Sequence, residues 1–94
     1  MTSERALVKR IGRELDRLDR CWWMNVHGGP FQRSGVPDIV GVIDGRFFAI
    51  EVKADDGRLT RLQEATIQDI ERSGGLAIVA RSVADINKII QGRE

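Results

Sequence analysis

Apolar residues recur along this chain with two different periods, and the changes between them mark out its elements. Leu7, Ile11, Leu15 and Leu18 are spaced three or four apart, the repeat that lines one stripe of an α-helix, so residues 3–19 are expected to form an amphipathic helix. Thr2 or Ser3 can cap its start, and Glu4 falls in the first turn, where the helix dipole favours a carboxylate. Residues 21–27 (Cys-Trp-Trp-Met-Asn-Val-His) are aromatic and apolar over too short a run for another helix, which predicts a strand. Gly28-Gly29-Pro30 ends it. Residues 28–36, rich in glycine and carrying Gln32, Arg33 and Ser34, read as an exposed loop able to approach a ligand closely.

Two apolar runs follow, residues 37–43 and 46–53, separated by Asp44-Gly45, a strong short-range signal for a two-residue hairpin turn. Residues 54–59 are polar. Thr60-Arg61-Leu62-Gln63 has the spacing of a capping box, opening a helix that runs to about residue 72 and stops at Ser73-Gly74-Gly75. Residues 76–80 form a continuous apolar run of strand length, and Ser82-Val83-Ala84-Asp85 caps a last short helix holding Ile86, Ile89 and Ile90. The predicted order is αβββαβα, an α/β fold whose mixed central sheet is flanked by helices.

The hairpin also organises the charges. With Asp44-Gly45 in the turn, Ile43 faces Arg46, and counting back along both strands sets Asp38 opposite Glu51. Opposed residues have Cβ atoms about 4.5 to 5.5 Å apart on one face, and period-two alternation adds Lys53 to that face. Two carboxylates so placed repel each other. A divalent cation is the natural compensator, since Mg²⁺ takes hard oxygen ligands, often one or two carboxylates, and also binds substrate phosphate. A plain surface ion pair from Lys53 to Asp38 or Glu51 would account for the charges singly, but not for their place among Ile, Val, Phe and Ala.

Composition narrows the setting. A chain of 94 residues has room for one domain, 1–94, and its hydrophobic fraction of 41% and charged fraction of 31% are those of a folded globular protein. No apolar run approaches the roughly 18 to 20 residues of a membrane span, and the charged start lacks a signal peptide's apolar stretch, so a cytoplasmic protein is expected, without membrane partners. Cys21 is the single cysteine, which excludes an internal disulfide and a cysteine-rich zinc site and leaves it as a small apolar residue. The net charge of +1 does not advertise nucleic-acid binding, although most of the basic residues are Arg, whose fork matches phosphate oxygens. The basic residues between Arg5 and Arg20 are accounted for by the solvated face of the first helix.

Val36-Pro37-Asp38 followed across a hairpin by Glu51-Val52-Lys53 resembles the PD-(D/E)XK nuclease superfamily. Within it, Ser34-Gly35-Val36-Pro37-Asp38-Ile39-Val40, Ile50-Glu51-Val52-Lys53 and the later Leu59-Thr60-Arg61-Leu62-Gln63 make the chain similar to a stand-alone VRR-NUC domain. The resemblance implies a restriction-endonuclease-like αβββαβ core and a divalent-metal-dependent DNA endonuclease using Mg²⁺ or Mn²⁺. Asp38, Glu51 and the Val52 carbonyl would be metal ligands, and Lys53 and Gln63 catalytic groups. Such nucleases usually add an acidic residue from the first helix. Glu4 matches that pattern better than Glu14, which has Arg10 and Arg17 within reach as partners. Gln63 has a competing use in the capping box. His27, Arg33 and Ser34 by the glycine loop, and Arg58 and Arg61 before the second helix, are candidates for contacting DNA.

Stand-alone domains of this kind look like Holliday-junction resolvases, which implies branched DNA as substrate. A small domain contacts only a short stretch of duplex, so a homodimer with two active sites is expected. Trp22, Trp23, Phe47 and Phe48 are read mainly as core, with a place at the dimer interface as the alternative. The rival activities are a restriction-like or nicking nuclease on linear or flapped DNA, and a DNA-binding module that has lost catalysis.

Overall fold

The computed structural model describes residues 3–26 and 34–92. Its elements follow the expected order: α1 (Glu4–Leu15), β1 (Cys21–Asn25), β2 (Ile39–Ile43), β3 (Arg46–Val52), α2 (Arg61–Arg72) and β4 (Leu76–Ala80). A short 3-10 turn (Val83–Ile86) then leads into α3 (Asn87–Gly92), so the last helix comes in two pieces. The strands form one mixed sheet in the order β1-β2-β3-β4. β1, β2 and β3 pair antiparallel in sequence, whereas β4 is parallel to β3 because the chain returns through α2.

α1 forms where its apolar stripe predicts, with Ser3 as N-cap accepting the Ala6 N–H at 3.0 Å. It is shorter than expected: Leu15 is its last residue, and 16–20 turn back toward β1. Two contacts explain the stop. Asp16 accepts a hydrogen bond from the Trp23 indole at 2.7 Å, and Arg20 takes a left-handed φ of 56° before entering the strand. Leu18 still packs against the core, from the turn rather than from the helix.

The two faces of the sheet are treated differently. Leu7, Ile11 and Leu15 of α1 pack with Ile39, Ile43, Phe48, Ile50 and Val52, joined by Ile86 and Ile89 from the C-terminal turn and helix. By alternation, Val40, Val42, Phe47, Ala49 and Glu51 point to the other face. There α2 lies against β3 and β4, and none of its residues is fully buried. Expecting all four aromatic residues in the core was therefore half right. Phe48 is fully buried and Trp23 packs against the core, but Trp22 and Phe47 stand on the second face at 61% and 42% exposure. Cys21 is half-buried, and burial, with Asp16 and Asp44 adding to it, pushes its thiol pKa up, as suits an inert thiol.

Candidate metal-binding site

The site is built by the hairpin. Asp44 and Gly45 both take positive φ, 50° and 81°, the backbone of a two-residue turn whose twist matches the strands. Ile43 faces Arg46 and Ile39 faces Ile50. One further step along the same register sets Asp38 opposite Glu51, as the spacing of the turn predicted. Asp38 is fixed from both sides. Its carbonyl accepts the Val26 N–H at 2.8 Å, and its Oδ2 accepts the Val52 N–H at 2.8 Å. The carboxylate therefore cannot swing away from β3 without leaving a partly buried backbone donor unpaired.

Glu51 is the unusual residue. It lies on an inner strand, opposite Val79 of β4, and is only 3% exposed. Its Oε1 is buried with no hydrogen-bond partner. Burial pushes its pKa up to about 8, Asp38 adding to the rise through a hydrogen bond and charge repulsion; Lys53 opposes it and Glu4 adds a smaller increase. Asp38 thus engages one side of the carboxyl, while the buried Oε1 left without a partner costs stability unless something else satisfies it.

Lys53 follows β3 and is half-buried, its backbone N–H bonded to the Ala80 carbonyl at 3.0 Å. Glu4, in the first turn of α1, comes near enough for its charge to act on Glu51. Gly57 lies beside both Glu4 and Lys53. A Cβ on Gly57 would lie 3.6 Å from both Glu4 Oε2 and Lys53 Cδ, and 3.2 Å from the Ala54 carbonyl oxygen. Sequence reasoning had passed over Gly57 as one glycine in a polar stretch; its importance arises only once α1 and β3 converge on it. Glu14 instead pairs with Arg17 at 3.6 Å. Among the described residues no three His, Cys, Asp or Glu side chains converge into a ready-made metal cage. The donors at hand are the facing carboxylates of Asp38 and Glu51, with backbone carbonyls nearby. Such hard oxygens, one of them an orphaned buried oxygen, suit a cation of the Mg²⁺ or Mn²⁺ kind.

Gln63 is half-buried in the first turn of α2, with its Oε1 accepting the Thr60 N–H at 2.9 Å while Thr60 Oγ1 accepts the Gln63 N–H at 3.1 Å. The capping box is formed, which leaves the side-chain NH₂ as the part of Gln63 available for other contacts. Ser34 is exposed in the turn before Pro37, and Arg58 and Arg61 are exposed beside the start of α2. Neither arginine enters an ion pair among the described residues. His27 and Arg33 lie outside the described residues.

A family model of the VRR-NUC domain matches residues 2–84. The chain belongs to the VRR-NUC family. Its fold is also that of solved VRR-NUC structures. One, described as a VRR_NUC domain, superimposes with a TM-score of 0.76 at 20% identity, covering 97% of each chain. Another, a VRR_NUC domain protein, gives 0.72 at 19% identity over 96% of this chain and 86% of its own. Comparison with curated proteins gives no match. A VRR-NUC domain implies nuclease-type action on DNA, and nucleases of the family are generally divalent-metal dependent.

Proposed function

We propose that residues 1–94 of this VRR-NUC protein work as one domain, a divalent-metal-dependent DNA endonuclease that cuts branched DNA such as four-way junctions, as a homodimer in the cytoplasm. The observation that carries the metal-dependent part is Glu51, a buried carboxyl with an orphaned oxygen set directly across from Asp38. A protein has little reason to keep that pair unless a cation completes it.

Asp38, Glu51 and the Val52 carbonyl would hold Mg²⁺ or Mn²⁺, with Glu4, whose charge already acts on Glu51, moving in as the further ligand. Such a cation supplies the Lewis acidity that phosphodiester hydrolysis needs at neutral pH. Glu51 would hold the cation as a carboxylate, the positive charge favouring loss of the proton that burial and Asp38 keep on it. Lys53 places an ammonium beside the carboxylates, where it orients the attacking water, helps its deprotonation by favouring the hydroxide electrostatically, and stabilises charge growing on the phosphate. Gln63 keeps the start of α2 in place and offers its NH₂ toward the reacting groups. Arg58 and Arg61, with Ser34, Arg33 and His27, hold the DNA backbone.

The test is a panel of linear, flapped and four-way DNA substrates in Mg²⁺ and in Mn²⁺, with chelator as the blank. The expected result is metal-dependent cleavage fastest on the four-way substrate. Equal cleavage of linear and branched DNA would replace the junction assignment with a restriction-like or nicking activity. Absence of cleavage together with absence of cation binding by calorimetry would leave a DNA-binding module.

A further inference from the structure

The second face of the sheet is covered only in part. α2 lies over β3 and β4, while Trp22, Met24, Val42 and Phe47 remain 61%, 46%, 41% and 42% exposed. They are not scattered. The strand register puts Trp22 opposite Val42 and Val42 opposite Phe47, one continuous row across three strands; Met24 faces Val40 in the next row of that face. An open apolar groove, lined by Val40, Phe47, Pro37 and Ile70, continues the patch up to α2.

We infer that this face is where a second copy of the chain docks, with Trp22, Val42 and Phe47 at the centre of the contact; the inference rests on the homodimer reading and names its surface. The area fits. The exposed parts of Trp22, Met24, Val42 and Phe47 amount to about 400 Å² of apolar side chain. If that is about 65% of the buried area, as in homodimer contacts, each copy contributes about 600 Å². This is about a tenth of the 6270 Å² surface, the share a standard interface takes, and doubling it gives about 1,200 Å², the lower end of the range of specific complexes.

Charge is compatible with that occupant. At the hairpin end of the patch Arg20 pairs with Asp44 at 2.8 Å, and at the groove Asp69 pairs with Arg72. Each pair is neutral in sum, so the rim neither repels a second copy nor offers the surplus positive charge that takes up DNA phosphate. Phe47 and Glu51 are four residues apart on β3, about 13 Å, so a copy centred on the Trp22–Val42–Phe47 row lies at the opposite end of the face from Asp38 and Glu51.

The experiment is sedimentation velocity of the full chain across the micromolar range, for wild type, Val42→Lys and Trp22→Lys, with circular dichroism confirming the fold of each. Both positions are solvent-facing, and Trp22 is exposed enough for its variant to fold even if Val42→Lys does not. The expected result is a wild-type mass of twice 10.5 kDa and variants that dissociate at least about a hundredfold more readily. A wild-type dimer untouched by either folded variant overturns this face while the homodimer reading stands. A wild-type monomer throughout overturns both and leaves the nuclease reading to the substrate panel.

Discussion

Replacing Glu51 by Gln isolates the feature on which the metal site depends. In the folded protein Glu51 is raised from an ordinary value of 4.5 to about 8, so between those values the folded state keeps a proton that the unfolded chain has lost. Stability must then fall as pH rises through this window, because the native state binds more protons than the unfolded one. At pH 7 the gap from 4.5 is 2.5 pH units, which at about 1.4 kcal/mol per unit is about 3 kcal/mol of stability lost to Glu51. Gln has nearly the same shape and does not titrate. Glu51→Gln in chelator is therefore expected to match wild type below pH 4.5, and to be more stable by up to about 3 kcal/mol at pH 7, an increase in Tm of about 10 to 20 °C. The assay is thermal or urea unfolding from acid to alkaline pH, with and without Mn²⁺. Added cation should raise the Tm of wild type increasingly as pH climbs, since it displaces the proton, and should do little for the Gln variant. Titrating groups remote from Glu51 are common to both proteins and cancel in the difference, so the contrast reads Glu51 and the neighbours coupled to it. Parallel stability curves for the two in chelator would refute the account of Glu51 as a destabilising, cation-ready carboxyl.

Four further outcomes are expected. Lys53→Ala should lower the cleavage rate by about a hundred- to a thousandfold in single-turnover assays while DNA binding in chelator is nearly unchanged, because the ammonium acts on charge that develops during reaction. Asp38→Asn keeps an oxygen for the Val52 N–H and should fold normally while losing at least about tenfold in calorimetric cation affinity; Asp38→Ala should in addition lose about 1–3 kcal/mol of stability in urea, since that N–H is left unpaired. Gly57→Val should reduce cleavage more than it reduces Tm, because its side chain enters the space beside both Glu4 and Lys53. Thr60→Ala removes one half of the α2 capping box and should cost about 1 kcal/mol in urea unfolding.

Much of this architecture was legible before any coordinates. Element order followed from the three-to-four spacing of Leu7, Ile11 and Leu15, from the Asp44-Gly45 turn and from Thr60 and Gln63 at the start of α2, because each is a local rule acting within a few residues. The facing of Asp38 and Glu51 was legible for the same reason: a two-residue turn sets the register of both strands that leave it. The end of α1 was not. The apolar stripe continues to Leu18, but the helix stops at Leu15, where Asp16 is engaged by the Trp23 indole from a neighbouring strand. Four aromatic residues in a row of core-like segments also looked alike, since composition does not say which face of a sheet a helix will cover.

By itself, then, the sequence determined the order of the strands and the register of the β2–β3 hairpin, which faces Asp38 with Glu51 and sets Lys53 on the same side, all consequences of short-range periodicity and turn geometry. Tertiary packing decided the rest. It buried Glu51 on an inner strand and so raised its pKa, brought Glu4 rather than Glu14 within range of it, and set Gly57 beside both Glu4 and Lys53. It also left Trp22 and Phe47 in the open while enclosing Phe48. These depend on which distant elements come to lie over one another, and the free energy of that choice is spread across the whole core rather than carried by any local pattern.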